Sequence, residues 1–369
     1  MNEDQRLFVE SVDRVLKSLP MPTTRADGDQ DAVQQWSAFA ELGWLALGQP
    51  ESAGGMLGFT EVGLLMERMG YHAQRAPLMD HLLLVTPLLA ASTAHSGLLG
   101  AAMQGQARVA MALWEAHQRH DWDQVTTAVD FRRSVVNGSK VRVLGAEHAT
   151  HLLVLARDVT SAECAVVLLD ADAPGLQMRH YRTYDGRACA DIEFTNVAFD
   201  AHDGVVLQEQ TLAAVGRMVQ HLHVALASEA AGAMQRVLEL TLDYAKTRKQ
   251  FGRLLTQHQA YQHALVDIYV MAEEARALSR HVATMLDGLA SSDDGAALRD
   301  AARWASGAKA QASLDGRRVG EQGVQLHGAI GMTEEYVLSH HYRRLAAIAN
   351  EYGDHEWHLL RMRELDDGA

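Results

Sequence analysis

The positions of the prolines constrain the fold of this 369-residue chain more than any other feature. All six lie at or before Pro174, so residues 175–369 contain none. Proline interrupts helix interiors because it lacks an amide hydrogen and clashes with the preceding turn. The proline-free part is also rich in alanine, leucine, glutamine and arginine, which favour helices. The sequence therefore predicts long helices in its C-terminal half.

The N-terminal part, residues 1–108, shows helical periodicity as well. Apolar side chains recur on one helical face at 4–16 and again at 59–69. The glycine-rich stretch at 42–58 between them is typical of turns and loops. These patterns predict an all-α domain over residues 1–108.

Residues 109–204 carry a different signal. About seven short segments show alternation or β-branched residues, and turn residues separate them at regular intervals. Asn137-Gly138 is a strong signal for a hairpin turn between two of these segments. The pattern predicts a small antiparallel β-sandwich or barrel that ends near residues 202–204.

The C-terminal part, residues 205–369, returns to helical periodicity, with a loop at 291–295. The helical patterns cover residues 207–247, 257–289, 296–325 and 354–365. The three parts together predict an α–β–α domain order within the α+β class.

Composition excludes several function classes. The chain has 47 acidic and 33 basic residues and a net charge of −14, without a basic tract, so nucleic-acid binding is not expected. Its two cysteines cannot build a disulfide framework or a zinc site. Paired histidines recur, but without cysteines or carboxylates at ligand spacing, so we expect no metal. The polar N-terminus and short apolar runs predict a cytoplasmic protein with no membrane contact.

Two motifs in the C-terminal part carry chemistry. Tyr244-Ala-Lys-Thr-Arg248-Lys-Gln-Phe251-Gly252 ends the first long helix. On spacing alone it is best interpreted as a helix C-terminus with favourable cations and a terminating glycine. The alternative is an anion and aromatic-ring site, in which Arg248 binds a phosphate and Phe251 supplies an apolar plane.

The second motif is Gln325-Leu-His-Gly328-Ala-Ile-Gly331-Met-Thr. Its glycines would let the backbone approach a phosphate closely. It lacks the Gly-x-Gly spacing of a dinucleotide fingerprint, so on this stretch alone an interhelical loop is the simpler interpretation.

Taken together, these motifs resemble the acyl-CoA dehydrogenase family of flavoproteins. The likeness covers nearly the whole chain. Further matches are Glu41-Leu-Gly-Trp44 with Pro50-Glu-Ser-Ala-Gly54-Gly55 in the N-terminal part, and Asp191-Ile-Glu-Phe-Thr-Asn-Val197 at the end of the β part. The resemblance implies the family's three-domain fold, whose C-terminal domain (205–369) is a four-helix bundle after a middle β domain (109–204).

The resemblance also implies FAD as the cofactor. Arg248 and Phe251 would meet the ADP half of a flavin held mainly by a neighbouring subunit, with Gln259 near the adenine end. Gln325, Gly328 and Gly331 would bind the pyrophosphate. Such shared sites imply a homodimer or homotetramer, or a heterotetramer with a related chain.

The implied reaction is α,β-dehydrogenation of an acyl-CoA thioester, in fatty acid or steroid side-chain catabolism, with electrons passing to an electron-transfer flavoprotein. A carboxylate removes the α-proton, and its pKa must be raised by an apolar site. Counting forward from Tyr342-Arg343 puts Tyr352 at the base position, whereas counting back from Arg363-Glu364 puts Glu351 there. In family members with the base on the first long helix, the matching residues 220–223 hold no carboxylate here. Glu351 is therefore the candidate base.

Two other departures affect the β part. The family's Thr-Glu-Pro-x-x-Gly-Ser-Asp segment appears as Trp114-Glu115-Ala-His-Gln-Arg-His-Asp121, and its Trp-x-Thr appears as Val141-Arg142-Val143. Two alternative functions stay open. One is a non-catalytic partner subunit of a heteromeric acyl-CoA dehydrogenase, and the other is a related flavin-dependent monooxygenase, which needs no carboxylate base.

Overall fold

A computed structural model describes residues 1–367 except 20–28, 51–53, 201, 203, 291 and 293, and only the backbone at 29–33. The chain forms two compact units. The first comprises Met1–Gly28, Phe59–Arg75 and His223–Ala369, and the second comprises Asp29–Gly58 and Ala76–Leu222. The three-domain boundaries after residues 108 and 204 stay a prediction.

The first unit is helical. Its helices are α1 (Glu3–Ser18), α3 (Phe59–Tyr71), the part of α7 (Thr211–Thr247) from residue 223 onward, α8 (Gln259–Gly288), α9 (Gly295–His327), α10 (Leu338–Ile348) and α11 (His355–Asp367). Polar caps fix where several of them begin. The Asn2 and Gln5 side chains form a capping box at α1, and Asp294 accepts hydrogen bonds from two amides at the start of α9.

Helices α3 and α7 touch through their backbones where they cross. A Cβ atom on Gly70 would lie 1.9 Å from the carbonyl oxygen of Glu229, and one on Gly232 would lie 1.7 Å from that of Glu67. Neither position can hold a side chain without moving a helix. The two glycines therefore set the distance between α3 and α7.

The second unit combines short helices with a sheet. The helices are α2 (Asp29–Glu41), α4 (Leu78–Asp80), a π-helical turn (His81–Val85), α5 (Thr86–Ala90), α6 (Ser96–Met103) and the first part of α7. The strands are β1 (Val109–Ala112), β2 (Ala128–Asp130), β3 (Val135–Leu144), β4 (His151–Asp158), β5 (Cys164–Asp170), β6 (Leu176–Arg182), β7 (Ala188–Ala198) and β8 (Val205–Leu207).

The eight strands form one mixed sheet in the order β6-β7-β3-β2-β4-β5-β8, with β1 added beside β4. The α+β class is confirmed, but the purely antiparallel pairing predicted from the sequence is wrong. Both β1 and β2 run parallel to β4, and the chain between the paired strands is long enough for the crossover that parallel pairing requires. The apolar face of the sheet is buried around residues such as Val136, Leu152 and Ile192.

Asn137-Gly138 does not form the predicted hairpin turn. Strand β3 runs through this dipeptide, and its pairing with β7 shifts register between Val136 and Gly138. Gly138 has φ +135°, and a Cβ there would lie 2.8 Å from the Cα of Thr127. The glycine therefore lies at a β-bulge and allows the backbone of Thr127 to approach closely.

The long helices follow the sequence pattern closely, since α7, α8, α9 and α11 end within a few residues of their predicted limits. Helix α10 was not predicted. Parts of the predicted loops at 42–58 and 291–295, and part of the predicted domain end at 202–204, lie outside the described residues. Within the described residues, no single helix is both long and apolar enough to cross a membrane, and only the bent pair Leu78–Ala90 and Thr93–Met103 meets those limits when taken together.

Candidate functional site

The first motif forms a tight hairpin directly after α7. Strands β9 (Lys249–Gln250) and β10 (Arg253–Leu254) pair across Phe251-Gly252. Both turn residues have positive φ, +51° and +76°, as a type I′ turn requires. Phe251 is 91% exposed although it is a large apolar residue, and its positive φ is rare for a residue other than glycine. The hairpin therefore presents an aromatic ring away from the unit that carries it.

Arg248 lies at the base of this hairpin. Its amide donates to the Tyr244 carbonyl and its carbonyl accepts from the Leu255 amide, so its backbone is fixed. Its side chain is exposed, and its guanidinium pairs with no described residue. Gln259, the first residue of α8, is exposed a few residues further on. The segment thus combines a free cation, an aromatic ring and a polar side chain.

Aromatic side chains join this hairpin region to the second motif. The rings of Tyr244 and His327 stack with centroids 4.6 Å apart. The hydroxyl of Tyr336 lies 3.1 Å from Nε2 of His327, and that of Tyr261 donates to the Leu326 carbonyl at 3.1 Å. Burial, together with Tyr244 and Tyr336, raises the pKa of Tyr261 to about 12, so its hydroxyl stays a donor. Both motifs therefore lie at one end of the helical unit.

The second motif exposes its backbone at Gly328. This residue ends α9 with φ +69° and ψ −147°, a conformation open essentially to glycine alone, and no atom lies within 4 Å of where its Cβ would be. Gln325 is exposed one turn earlier. Gly331 differs, because it is buried and a Cβ there would lie 3.2 Å from His327 and Leu338. Packing alone explains the glycine at 331.

Glu351 lies just beyond α10, in the turn before α11. Its side chain is 20% exposed, and Arg344 Nη1 donates to its Oε2 at 2.9 Å. Arg344 also donates from Nε and Nη2 to both oxygens of Glu229, at 2.5 and 2.6 Å. One guanidinium therefore serves two carboxyl groups. Sequence reasoning missed Glu229 and Arg344, because they lie 115 residues apart and no local pattern connects them.

The two residues after Glu351 define the shape of the turn. Tyr352 has φ +52° and Gly353 has φ +116°. A Cβ on Gly353 would lie 2.5 Å from the Trp357 ring, so only glycine fits there. The turn thus holds Glu351 and Tyr352 as neighbours on a fixed backbone.

The alternative base region on α7 contains no carboxylate, as the sequence already indicated. Of its two histidines, His223 is buried, and its ring packs edge-on against that of His358 with centroids 4.6 Å apart. Within the part of the chain that the structure describes, no three His, Cys, Asp or Glu side chains are grouped to hold a metal ion.

The divergent segment at 114–121 has a structural use in the second unit. The Glu115 carboxylate is buried and accepts from Lys140 Nζ at 2.7 Å and from the Thr127 amide at 3.0 Å. Arg142, with φ +55°, places its guanidinium 5.2 Å from the centroid of the Trp114 ring. These contacts tie the segment at 114–121 to strand β3, at the position where the family has its Thr-Glu-Pro-x-x-Gly-Ser-Asp segment.

Comparisons with known proteins give one consistent result. Three models match the chain in order: the acyl-CoA dehydrogenase N-terminal domain at residues 2–96, the middle domain at 110–197 and the C-terminal domain at 212–364. The acyl-CoA dehydrogenase fadE12 of Mycobacterium bovis is 28% identical over 349 residues, covering 86% of this chain and 84% of the relative.

Solved structures agree in fold. Glutaryl-CoA dehydrogenase from Mycobacterium smegmatis has a TM-score of 0.90 at 19% identity, covering 100% of this chain and 96% of that one. The ChsE4-ChsE5 complex from Mycobacterium tuberculosis gives a TM-score of 0.81 at 21% identity, covering 100% and 98%. With all three of its domains matched along the chain and a relative aligned over most of its length, this protein belongs to the acyl-CoA dehydrogenase family of FAD-dependent oxidoreductases.

Proposed function

We propose that this protein oxidises an acyl-CoA thioester to its α,β-unsaturated form and passes the electrons to an acceptor flavoprotein. The observation that supports it best is the pairing of an exposed aromatic ring and a free cation with a glycine turn at one end of the helical unit. In the reaction the substrate loses a proton from its α-carbon and a hydride from its β-carbon. When bound, FAD supplies the acceptor for that hydride.

The residues at this end suit FAD. Arg248 provides a bidentate cation for a phosphate, and Phe251 provides an apolar plane for an aromatic ring. Gln325 and the open backbone at Gly328 suit a pyrophosphate, and Gln259 would lie toward the adenine. Because Phe251 is 91% exposed, a second subunit is the natural source of the surface that covers it. We therefore propose a homodimer or a dimer of dimers.

Glu351 is the proposed base for the α-proton. A carboxylate paired to one guanidinium is a poor base, because the cation stabilises its charged form. Here Arg344 is already held bidentately by Glu229, so its charge is shared between two acids. Glu351 accepts from Nη1 of this guanidinium, whereas Glu229 accepts from both Nε and Nη2.

Glu351→Gln is expected to abolish reduction of the bound flavin by acyl-CoA while the purified protein stays yellow. A general base contributes about 10²- to 10⁴-fold to rate. The measurement is anaerobic bleaching of flavin absorbance, with thioesters from short chains through branched and steroid-derived ones.

The matched control is Glu356→Gln, an exposed carboxylate on α11 five residues away, which should bleach at the wild-type rate. Full bleaching by Glu351→Gln would exclude Glu351 as the base, and loss in Tyr352→Phe instead would move the assignment to Tyr352. If no acyl-CoA bleaches the wild type, the proposed reaction is wrong.

Arg248→Ala is expected to weaken flavin binding roughly 10- to 100-fold, since hydrogen bonds to charged groups contribute about 1.5–3 kcal/mol. Phe251→Ala should act in the same direction. The ratio of flavin to protein after dialysis measures the effect. Arg317→Ala serves as the control, because Arg317 is exposed on α9 and pairs only with Glu321 among described residues. Equal flavin content in all variants would contradict the assigned site.

A second candidate function is a partner subunit that lacks a working base. The observation that favours it is the 2.9 Å ion pair of Glu351 with Arg344. The ChsE4-ChsE5 complex, whose fold is similar, is built from two different chains. Copurification with a related chain, with bleaching only in the mixed complex, would support this function. A yellow homo-oligomer that bleaches on its own would exclude it.

A further inference from the structure

A lysine is completely buried beneath the turn that carries Glu351. Lys309, on α9, has 0% relative exposure. Its ammonium donates to the Ser313 hydroxyl at 2.8 Å, the Ile348 carbonyl at 2.9 Å and the Gly353 carbonyl at 2.8 Å. Since an ammonium has three hydrogens, all of its donors are used. Lysines are almost never completely buried unless they are paired, so the position of Lys309 needs a structural explanation.

The two carbonyls that Lys309 binds lie on either side of Glu351. Ile348 is the last residue of α10, and its carbonyl also accepts from the Glu351 amide at 3.2 Å. Gly353 lies at the other end of the turn, in a conformation that only glycine adopts easily. One ammonium therefore joins the two ends of residues 349–352 and fixes the backbone between them.

The surroundings of Lys309 contain further buried titratable groups. The rings of His223 and His358 pack against each other, and neither makes a regular hydrogen bond to a described residue, although the Tyr352 carbonyl lies close enough to favour their protonated forms. Burial above all, and then neighbouring groups that include Lys309 and Arg361, lower the pKa of both rings, so they are neutral. The charged or titratable groups that interact with Lys309 are His223 of α7, Arg344 of α10, Asp354 of the turn and His358 of α11. Arg361 of α11 acts on the two histidines.

These groups make the charge of Lys309 sensitive to pH. Burial, and then Arg344, lower its pKa to about 7, although Asp354 opposes the shift. Loss of the proton leaves a neutral amine, whose hydrogen bonds to the Ile348 and Gly353 carbonyls are no longer charge-assisted, so the turn should be held less tightly above that pH. The folded protein then binds fewer protons than the unfolded chain between about pH 7 and 10.5, so this group does not lower global stability as pH rises.

We propose that Lys309 is a positioning residue: its ammonium ties the end of α10 to Gly353 and so holds the Glu351 turn in its working geometry. The link between this geometry and proton abstraction rests on the proposed function. The hydrogen bonds of Lys309 to the two carbonyls do not depend on it. Lys309 does not touch the reacting atoms.

Hydrogen exchange measured by mass spectrometry tests the tie without reference to activity. In Lys309→Met, which keeps a buried apolar stem, we expect protection of the Asn350 and Glu351 amides to fall at least tenfold. Both amides donate to the Ala347 carbonyl at the end of α10, so they report on the turn. Ser313→Ala removes one acceptor and keeps both carbonyl contacts, so it should retain wild-type protection.

The wild type provides a second measurement that needs no variant. After correction for intrinsic exchange, protection of the turn should fall as pH rises through about 7, whereas thermal stability should not fall in step. In Lys309→Met, protection of the turn should no longer change as the pH passes through about 7. Unchanged protection in the variant, or a flat profile in the wild type, would overturn the proposal. If the variant does not fold, the wild-type profile alone decides.

Flavin bleaching separates this inference from the proposed reaction. Lys309→Met should reduce the bleaching rate more than it changes substrate KM or flavin content, and should shift the pH profile of the rate. A loosened turn with unchanged bleaching would refute the positioning role. If the turn loosens but no acyl-CoA bleaches the wild type, the tie stands and the proposed reaction fails.

Discussion

Replacing Gly232 with alanine is expected to prevent the helical unit from folding. The new Cβ would lie 1.7 Å from the Glu67 carbonyl oxygen and 3.0 Å from the Tyr71 amide nitrogen. Both are backbone atoms of α3, so no side-chain rotation relieves the clash. Overpacking ordinarily costs about 1–3 kcal/mol, and forcing two helices apart should exceed that range.

The same helix provides a control for this variant. Gly216 also lies in α7, but its added Cβ would meet only Trp122, at an ordinary 3.7 Å. Gly216→Ala should be neutral or stabilising by up to about 1 kcal/mol, because alanine favours helices. The yield of soluble protein and the urea midpoint distinguish the two variants. A Gly232→Ala protein as stable as Gly216→Ala would mean that α3 and α7 do not cross as described.

Lys140→Met is expected to destabilise the protein by about 3–5 kcal/mol, because it leaves the buried Glu115 carboxylate without its cation. The side chains of Lys140 and Glu115 are 0% and 2% exposed, and their ion pair is 2.7 Å long. The Leu113 carbonyl would also lose the donor that Lys140 provides at 3.1 Å. Urea unfolding of the intact protein measures the loss.

The pH dependence of this pair has a definite sign. Burial raises the pKa of Glu115, but Lys140 and the threonine hydrogen bonds outweigh it and lower the pKa to about 2. Because this folded-state pKa lies below the unfolded value of about 4.5, the stabilisation is complete above pH 4.5 and is lost as pH falls toward 2. The difference in free energy of unfolding between the wild type and Lys140→Met should therefore become smaller below pH 4.5.

Removing both charges provides the control for Lys140→Met. The double variant Lys140→Met/Glu115→Gln should recover part of the lost stability, since no buried charge is left unpaired. A double variant less stable than Lys140→Met would show that the cost comes from packing around residue 140 rather than from the stranded carboxylate.

The long helices could be predicted because their signal is local. Periodicity and the absence of proline are both properties of consecutive residues, so α7, α8, α9 and α11 followed from the sequence. Helix α10 did not, because it is short and buries Arg343 and Arg344 on its inner face. Their partners, Glu334 and Glu229, lie nine and 115 residues away, and a single sequence does not reveal such pairs.

The same distinction applies to the site. The hairpin at Phe251 and the turn at Gly328 could be recognised because their residues are contiguous. The roles of Lys309 and Arg344 depend on contacts across the fold, and a buried charge has no local signature. Asn137-Gly138 shows a third case, in which one dipeptide suits both a hairpin turn and a bulge and the neighbouring strand decides between them.

The discontinuous make-up of the helical unit has a consequence for how the chain is made. Helices α1 and α3 belong to the same unit as residues from His223 onward, and α3 meets α7 at Gly232. About 150 residues separate the end of α3 from His223, where the unit resumes. During synthesis α1 and α3 therefore leave the ribosome well before the helix that packs against them has been made. The apolar face of α3 must be shielded until α7 emerges, and folding of this unit can finish only once the end of the chain has been made.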